Sequence, residues 1–589
     1  MRSVRQGHLV RLRPPRRRGH GERPGRSAVH LPVSRRRLVV VGGVAGGMSA
    51  AARARRLDEN LEIIVLEAGP YVSFANCGLP YHLSGDIPSA DFLLLHDPQS
   101  LAEDLALDVR IDHRVTAIDR AARTVTVVSP QGEQQIGYDA LVLSPGAVAV
   151  EPPIEGLHAA HVHHLRTVPD VKAIAGRLDD LLAGNPNPVA VVVGAGFIGL
   201  EAVEALVSRG LTVHLVELAP QVLPPLDAEL AARVAAELTL NGVQLHLGVS
   251  ATSVDPQVVL SDGTTIEADL VLVNVGVRPA SGLAAAAGLE LGAQGAIVVD
   301  QDQRTSDEHI WAAGDAVQVS RYGSAVPGVV PLAGPASRQG RRAADSICGH
   351  RTTPQAPVLG TAIVRVFGLT AAVTGLSQRQ LAQAGTPHEV VRVHSGNHVG
   401  WLPGSQIVHL VASFAPDGTL LGAQAVGSDG VDKRIDVLAT AIRSGMGADE
   451  LAELELAYAP PYGAAKDPVN MLGFAAQNAL DGMMPQWQPS ELDAVLAEEL
   501  VLDVRTKREW DRGHLDGALL VPNTEVRDRL EEIREAAAGR RIAVHCASGF
   551  RSYLATRILL QAGLQARNLS GGWMTLSVAR PEVLTPTHV

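Results

Sequence analysis

Two cysteines of this chain stand in settings suited to reactive sulfur. Cys77 lies in SFANCGLPYHLSG with no second cysteine nearby, and Cys546 opens HCASGFRS, a run of small residues leading to Arg551. The thiolate is the reactive form of cysteine, and nearby cations or inward-facing backbone N–H groups favour it. The first setting suits bonding to a visiting sulfur; the second suits a sulfur anion held by its own loop. Cys348, in DSICGH, has nothing basic or glycine-rich around it and reads as structural. Cysteines this sparse cannot build a disulfide framework, so free thiols and a reducing, cytoplasmic compartment are expected.

The elements that must position the first sulfur are glycine turns. RRRLVVVGGVAGGMSAAARARRL reads as a buried strand, a turn holding Gly42, Gly43, Gly46 and Gly47, and an alanine-rich helix. Such a turn aims the N–H groups of a helix start at a pyrophosphate. Val44 occupies the usual second glycine of the dinucleotide fingerprint, but the next strand, LEIIVLEAG, ends in Glu67, placed to accept ribose hydroxyls. A second unit, PVAVVVGAGFIGLEAVEALVSRGLTVHLVEL, carries Gly194, Gly196 and Gly199 in full register, with Glu217 after the following strand. Leu218 and Ala219 follow Glu217, so a 2'-phosphate would meet a carboxylate and no cation, which favours NADH over NADPH. Two such sites in one chain suggest an electron carrier between two nucleotides. In TSDEHIWAAGDAVQV, Asp315 is expected after a strand and a short turn, at a helix start, where it could hold a flavin ribityl hydroxyl.

At 589 residues the chain exceeds one hydrophobic core, and about three to five domains are expected. Hydrophobic residues make up 46%, with 58 glycines and only 3% aromatics, which suits an α/β enzyme. No apolar run approaches the roughly 18 residues that span a bilayer, so no membrane segment is expected. The first 37 residues hold twelve arginines and one glutamate. Setting their +11 aside from the net −11 leaves −22 on the remainder, which argues against nucleic acid as partner. Residues 1–36 are expected to be a disordered basic leader or the product of a mis-set start codon, and the missing apolar segment excludes a secretory signal.

From about Arg37 to Met471 the chain resembles the flavoprotein disulfide reductases with two dinucleotide-binding domains. Their AxGD element is similar to the segment around Asp315, and YDALVLSPGA and VLVNVGVRP look like their crossover segments. The resemblance implies FAD at Gly42, Gly43, Gly46, Gly47, Glu67, Val115, Ser144, Gly146, Asp315 and Ala333. It implies NADH at Gly194, Gly196, Phe197, Ile198, Gly199, Glu217 and Gly276. Glutathione and lipoamide reductases carry a CxxxxC pair, whereas Gly78, Leu79, Pro80, Tyr81 and His82 follow Cys77 here, so no internal disulfide can form. A lone redox cysteine can cycle through a mixed disulfide or through a sulfenic acid. SFANCGLPY and YAPPYGAAKDPVN are similar to coenzyme A disulfide reductases, while the histidine that NADH peroxidases and oxidases carry in the first glycine turn is absent. Carried over residue by residue, the resemblance makes Cys77 the redox thiolate, with Ser73, Asn76 and Arg56 at positions that contact coenzyme A. Tyr458 matches a tyrosine that reaches the other subunit's site, which implies a homodimer. Trp401 and Leu402 replace the family's tyrosine pair.

Residues from about 488 to 580 resemble a rhodanese domain, with Asp503, Arg505, Glu509, Gly513 and His514 on its scaffold, Cys546 as sulfur carrier and Arg551 closing the loop. The loop is similar to that of cysteine phosphatases but one residue shorter, which suits one sulfur atom rather than a tetrahedral phosphate. The expected fold class is α/β: two Rossmann-like dinucleotide-binding domains, an α/β dimerisation domain and a rhodanese α/β domain. The expected boundaries are 37–150 and 276–350 for FAD, 151–275 for NADH, 351–480 for dimerisation and 488–589 for rhodanese. The implied activity is FAD-dependent NADH reduction of coenzyme A persulfide, polysulfide or coenzyme A disulfide, with no metal. An NADH oxidase or peroxidase working through sulfenic acid, and a non-enzymatic redox sensor or sulfur-relay scaffold, remain open.

Overall fold

The computed structural model describes residues 36–583, so the expected leader, Arg36 apart, lies outside the described residues. RLVVV forms β1 (Arg37–Val41), followed across the glycine turn by α1 (Ala45–Leu57) and β2 (Glu62–Leu66). Leu38, Val39 and Val40 are fully buried, as a central parallel strand covered on both faces requires. Next come α2 (Leu79–Ser84), β3 (Asp108–Arg110) and β4 (Ala140–Leu143).

The chain then builds a second sheet from β5 (Val162–His163), β6 (Val189–Val193), α3 (Phe197–Ser208), β7 (Thr212–Glu217), α4 (Ala228–Leu240), β8 (Gln244–Leu247) and β9 (Leu270–Val273). It returns through β10 (Ile310–Ala312) and α5 (Ala333–Ile347). The first sheet runs β10-β4-β1-β2-β3 and the second β5-β9-β6-β7-β8, both wholly parallel. In each, the strand before the glycine turn lies where the strand order reverses, the place where open α/β sheets take ligands. The passages between the sheets pair as an antiparallel ribbon, Ala147–Ala149 against Val277–Pro279.

Asp315 departs from expectation, because it sits in a turn and the next helix, α5, starts only at Ala333. Val317 bridges to Ile297 and Val319 to Gly328, so β-branched residues draw this stretch into extended pairing instead. α5 then packs across α1 at Gly340, where a Cβ would lie 2.1 Å from the Gly46 carbonyl oxygen.

The third unit is an antiparallel sheet of β11 (Ala362–Val366), β12 (Leu369–Gly375), β13 (Glu389–Gly396), β14 (Ile407–Phe414) and β15 (Leu420–Gly427), ordered β11-β12-β15-β14-β13. α6 (Val431–Ser444) and α7 (Pro468–Leu480) cover it. The fourth unit comprises β16 (Gln486–Trp487), β17 (Leu500–Asp503), α8 (Lys507–Trp510), β18 (Leu519–Leu520), β19 (Ile542–His545), α9 (Phe550–Gln561), β20 (Ala566–Leu569) and α10 (Gly572–Ala579). Its parallel sheet runs β16-β20-β19-β17-β18, which puts Cys546 at the end of the central strand. α9 begins at Phe550, two residues earlier than a loop running to Arg551 would allow, so Arg551 belongs to the helix's first turn. Among the described residues no helix is long and apolar enough to cross a membrane.

Candidate active sites

The two glycine turns are near copies. Gly42 and Gly194 adopt φ of +99° and +105°, a region that suits glycine. Their N–H groups donate to the Leu66 and Val216 carbonyls at 2.9 and 2.8 Å. A Cβ on Gly47 would come within 1.9 Å of the Gly42 oxygen, and one on Gly199 within 1.9 Å of the Gly194 oxygen. The acids match too: Glu67 accepts from Gly43 N at 2.7 Å and Gly69 N at 2.9 Å, and Glu217 from Ala195 N at 2.7 Å and Ala219 N at 2.8 Å. Val44 is tolerated because its φ is −113°, and Gly196, its counterpart, has φ −78°. A Cβ at Gly196 meets no protein atom within 4 Å, so within the protein the second glycine leaves open space beside the helix start.

One cleft of about 2360 Å³ joins both turns to Cys77. That exceeds the ~1,000 Å³ upper range of ordinary ligand pockets and leaves room for two dinucleotides. Of the residues assigned to FAD, Gly42, Gly46, Glu67, Val115, Ser144, Gly146, Asp315 and Ala333 line it. Of those assigned to NADH, Gly194, Gly196, Phe197, Ile198, Glu217 and Gly276 do so, and Asn76 lines it beside Cys77. Gly43, Gly47 and Gly199 are not in the lining; the last two allow the close helix–turn approach. The cradle fits FAD: a Cβ on Gly46 would fall 2.6 Å from Ser144 Oγ, the acid at the end of β2 is anchored by backbone N–H groups, and half-buried Asp315 faces the cleft. Burial raises the Asp315 carboxyl pKa, and Arg166, also in the lining, opposes the rise. Sequence reading missed Arg166, which sits in a loop without a motif.

Cys77 lies in the 3-10 turn Asn76–Gly78 just before α2, with its residue surface exposed. Partial burial of the thiol is the main cause that raises its pKa, followed by the charges of Glu201 and Asp315. Cys77 lines the cleft, so a visiting molecule can reach it. Glu201, on α3, lines the same cleft and accepts from the Tyr81 hydroxyl at 3.2 Å. It was also missed, although it stands one helical turn beyond Phe197, on the same face.

Ser73 has φ +49° and serves through its backbone, donating to Gly43 O at 2.8 Å and accepting from Leu95 N at 3.1 Å. Arg56 is exposed near the end of α1, and neither it nor Ser73 lines the cleft. Tyr458 lies outside that lining too, on the third unit, where Trp401, Tyr458 and Tyr462 are 72, 50 and 72% exposed. The buried Arg434 staples their loops together: it donates to Asn397 O and to the Asp467 carboxylate, each at 2.7 Å. Val399 N adds a 3.1 Å bond to Gly463 O.

The fourth unit builds a different sulfur site. Cys546 is buried, and its Sγ accepts from Gly549 N and from Ser552 Oγ, both at 3.3 Å. Arg551 is clamped by Glu509 through bonds of 2.8 and 2.5 Å, which hold the Glu509 carboxyl at about 2 and raise the arginine's pKa. Beneath the loop, Asp503 and Arg505 pair at 2.6 Å, fully desolvated, and the guanidinium lies 4.0 Å over Trp573. His545, adjoining Cys546, stacks near Trp573, and burial lowers its pKa to about 4. Gly513 O accepts from Arg505 at 2.8 Å, and His514 stacks on Trp510. Ser552 was missed, though it stands beside Arg551 in the motif.

Comparison with known proteins matches residues 36–340 to the pyridine nucleotide-disulphide oxidoreductase family, 361–468 to that family's dimerisation domain and 488–577 to the rhodanese-like domain. A coenzyme A disulfide reductase of Staphylococcus haemolyticus is 36% identical over 447 residues, 75% of this chain and all of that protein. The solved structure of reduced Bacillus anthracis CoADR-RHD aligns at 40% identity and TM-score 0.90, covering 93% of this chain and 99% of that one. A NAD-dependent persulfide reductase from A. fulgidus aligns at 37% identity and TM-score 0.86, covering 92 and 99%.

Proposed function

The chain belongs to the pyridine nucleotide-disulphide oxidoreductase family, and from that premise we propose that it uses NADH to reduce coenzyme A persulfide, polysulfide or coenzyme A disulfide. The observation that carries the reading is the single cleft that places solitary, exposed Cys77 alongside both glycine turns. With no cysteine partner in reach, the sulfur must bond to an incoming molecule. The Cys77 thiolate attacks one sulfur of the substrate and expels the other as thiolate or hydrosulfide. FAD held by the first glycine turn, Glu67 and Asp315 would supply two-electron chemistry, linking hydride from NADH to reduction of the new S–S bond. Cys77 returns as thiolate and the second thiol leaves after protonation, so each S–S bond consumes one NADH and one proton. Glu67 and Glu217 orient the ribose ends, Asp315 holds the ribityl side of FAD, and Asn76 faces the visiting thiol beside Cys77.

Glu217 with Leu218 and Ala219 after it supports NADH over NADPH. Three exposed aromatics on adjoining loops form an apolar patch of the kind that marks an interface, which supports a homodimer with Tyr458 directed to the partner's site. Cys546, held by Gly549 N and Ser552 Oγ, carries sulfane sulfur as a persulfide for delivery to the coenzyme's thiol. The test is anaerobic turnover with NADH over the three substrates, quantifying sulfide and thiol. One NADH per S–S bond is expected. NADH consumption that requires oxygen or peroxide and yields no thiol would assign the sulfenic-acid chemistry instead.

A further inference from the structure

α10 is wedged between two surfaces with different jobs. On one side it meets the Cys546 loop: Trp573 N donates to Cys546 O at 2.7 Å and Met574 N to Ala547 O at 2.9 Å. Gly572, at φ +58°, allows that approach, since a Cβ there would sit 2.7 Å from both Cys546 O and Gly549 N. Gly549 N is the group that also donates to the Cys546 sulfur. On the other side, α10 meets the reductase body. Arg233, on α4 of the NADH-binding unit, donates to Met574 O. Thr575 Oγ1 shares a 2.8 Å hydrogen bond with His394 Nε2, and His394 Nδ1 one of 2.8 Å with His409 Nδ1, its cross-strand neighbour on β14. Burial keeps both histidines neutral, His394 far below its ordinary value and His409 at about 3. A neutral pair can pass one direction of hydrogen bonding along the row. Beside it, buried Arg392 pairs with Glu229 of α4 at 2.6 Å and reaches Ser570 at 3.3 Å.

We propose that Arg233 and Thr575 are positioning residues for Cys546 chemistry: through α10, the reductase body sets the backbone of the sulfur-carrying loop. The proposal rests on the reading of Cys546 as a sulfur carrier. Two of the loop's carbonyls are bonded to N–H groups at the start of α10, and α10 is in turn held by the NADH-binding unit and by β13 and β14. A rhodanese fold alone would need neither side chain for this. The helix does not touch the transferred sulfur. It fixes Ala547 and the Cys546 carbonyl, and thereby the direction of the Gly549 N–H.

The test uses the full-length holoenzyme with thiosulfate as sulfur donor and cyanide as acceptor, alongside NADH-dependent coenzyme A disulfide reduction. Arg233→Met and Thr575→Val should each lower kcat for sulfur transfer about fivefold, the size of one lost hydrogen bond, with KM for thiosulfate nearly unchanged. Arg233→Lys and Thr575→Ser should restore it, because each keeps a donor or hydroxyl in place. Coenzyme A disulfide reduction should stay at the wild-type rate. Unchanged sulfur transfer with a lowered melting temperature would make α10 an anchor only and overturn the proposal. Equal loss of both activities would overturn it as well, by showing a global defect. A wild-type protein without sulfur transfer would defeat the carrier reading itself, a failure distinguished by its appearing before any substitution is made.

Discussion

Cys77 and Cys546 solve the same problem in opposite ways. Cys546 is enclosed, its sulfur receives two donors at 3.3 Å, one from its loop and one from the first turn of α9, and a clamped arginine closes the site. Cys77 is exposed in a large cleft, and the charges of Glu201 and Asp315 oppose its thiolate. A carrier must keep a charged sulfur between encounters, so its stabilising groups are built in. A redox thiol that bonds to visitors is left open to what occupies the cleft, and partial burial, with the charges of Glu201 and Asp315 behind it, holds its thiolate back. The two sites differ in who supplies the counter-charge.

The largest expected effect separates them outright. Cys77→Ser should abolish NADH-dependent release of sulfide and thiol while bound flavin, read by its absorbance, is retained. Cys546→Ser should leave coenzyme A disulfide reduction intact and lower turnover with sulfane donors; equal loss on both substrates would make the fourth unit purely structural.

A smaller change tests the enclosed site. Ser552→Ala removes one of the two donors to Cys546 Sγ and should slow sulfur transfer about tenfold, the cost of a hydrogen bond to a charged group. An unchanged rate would show that Gly549 N and Arg551 suffice.

The open site responds in the other direction. Glu201→Gln removes the larger of the two carboxylate charges that raise the Cys77 pKa, so the pH midpoint for alkylation of Cys77 by iodoacetamide should move down. A midpoint that rises would show that the Tyr81 bond to Glu201, rather than its charge, governs the sulfur.

The smallest effect is on stability in acid. His545 titrates near 6.5 unfolded and about 4 folded, so the unfolded chain binds the proton first and stability falls as pH drops across that window. Glu509, lowered from 4.5 to about 2 by Arg551, adds a loss over its own lower window. Trp487, Trp510 and Trp573 report this unit by fluorescence in thermal melts. His545→Phe should flatten the upper window and leave the lower one.

Much of this was legible before folding. Glycine turns, their strands and helices, and the acids at the strand ends are contiguous, and each answers a local backbone demand. Most of the FAD-side and NADH-side residues therefore reach the same cleft, Val44 included, because an ordinary φ at that position accepts a side chain. The error at Asp315 has a local appearance and a non-local cause: bridges to Ile297 and Gly328 outweighed the helix reading. The start of α9 came two residues early, at Phe550 rather than after Arg551, because a helix start is set by its first hydrogen bonds, not by the motif that ends there.

By itself the sequence determined the four α/β units, the two nucleotide turns and the identity of both sulfurs, since each is written in neighbouring residues. Only the tertiary structure decided which groups face them. Arg166 and Asp315 line the same cleft, Glu201 accepts from Tyr81 while lining the cleft that also holds Cys77, and Arg233 reaches Met574 from more than three hundred positions away. Such meetings depend on how whole elements pack, and no local preference of the chain records them.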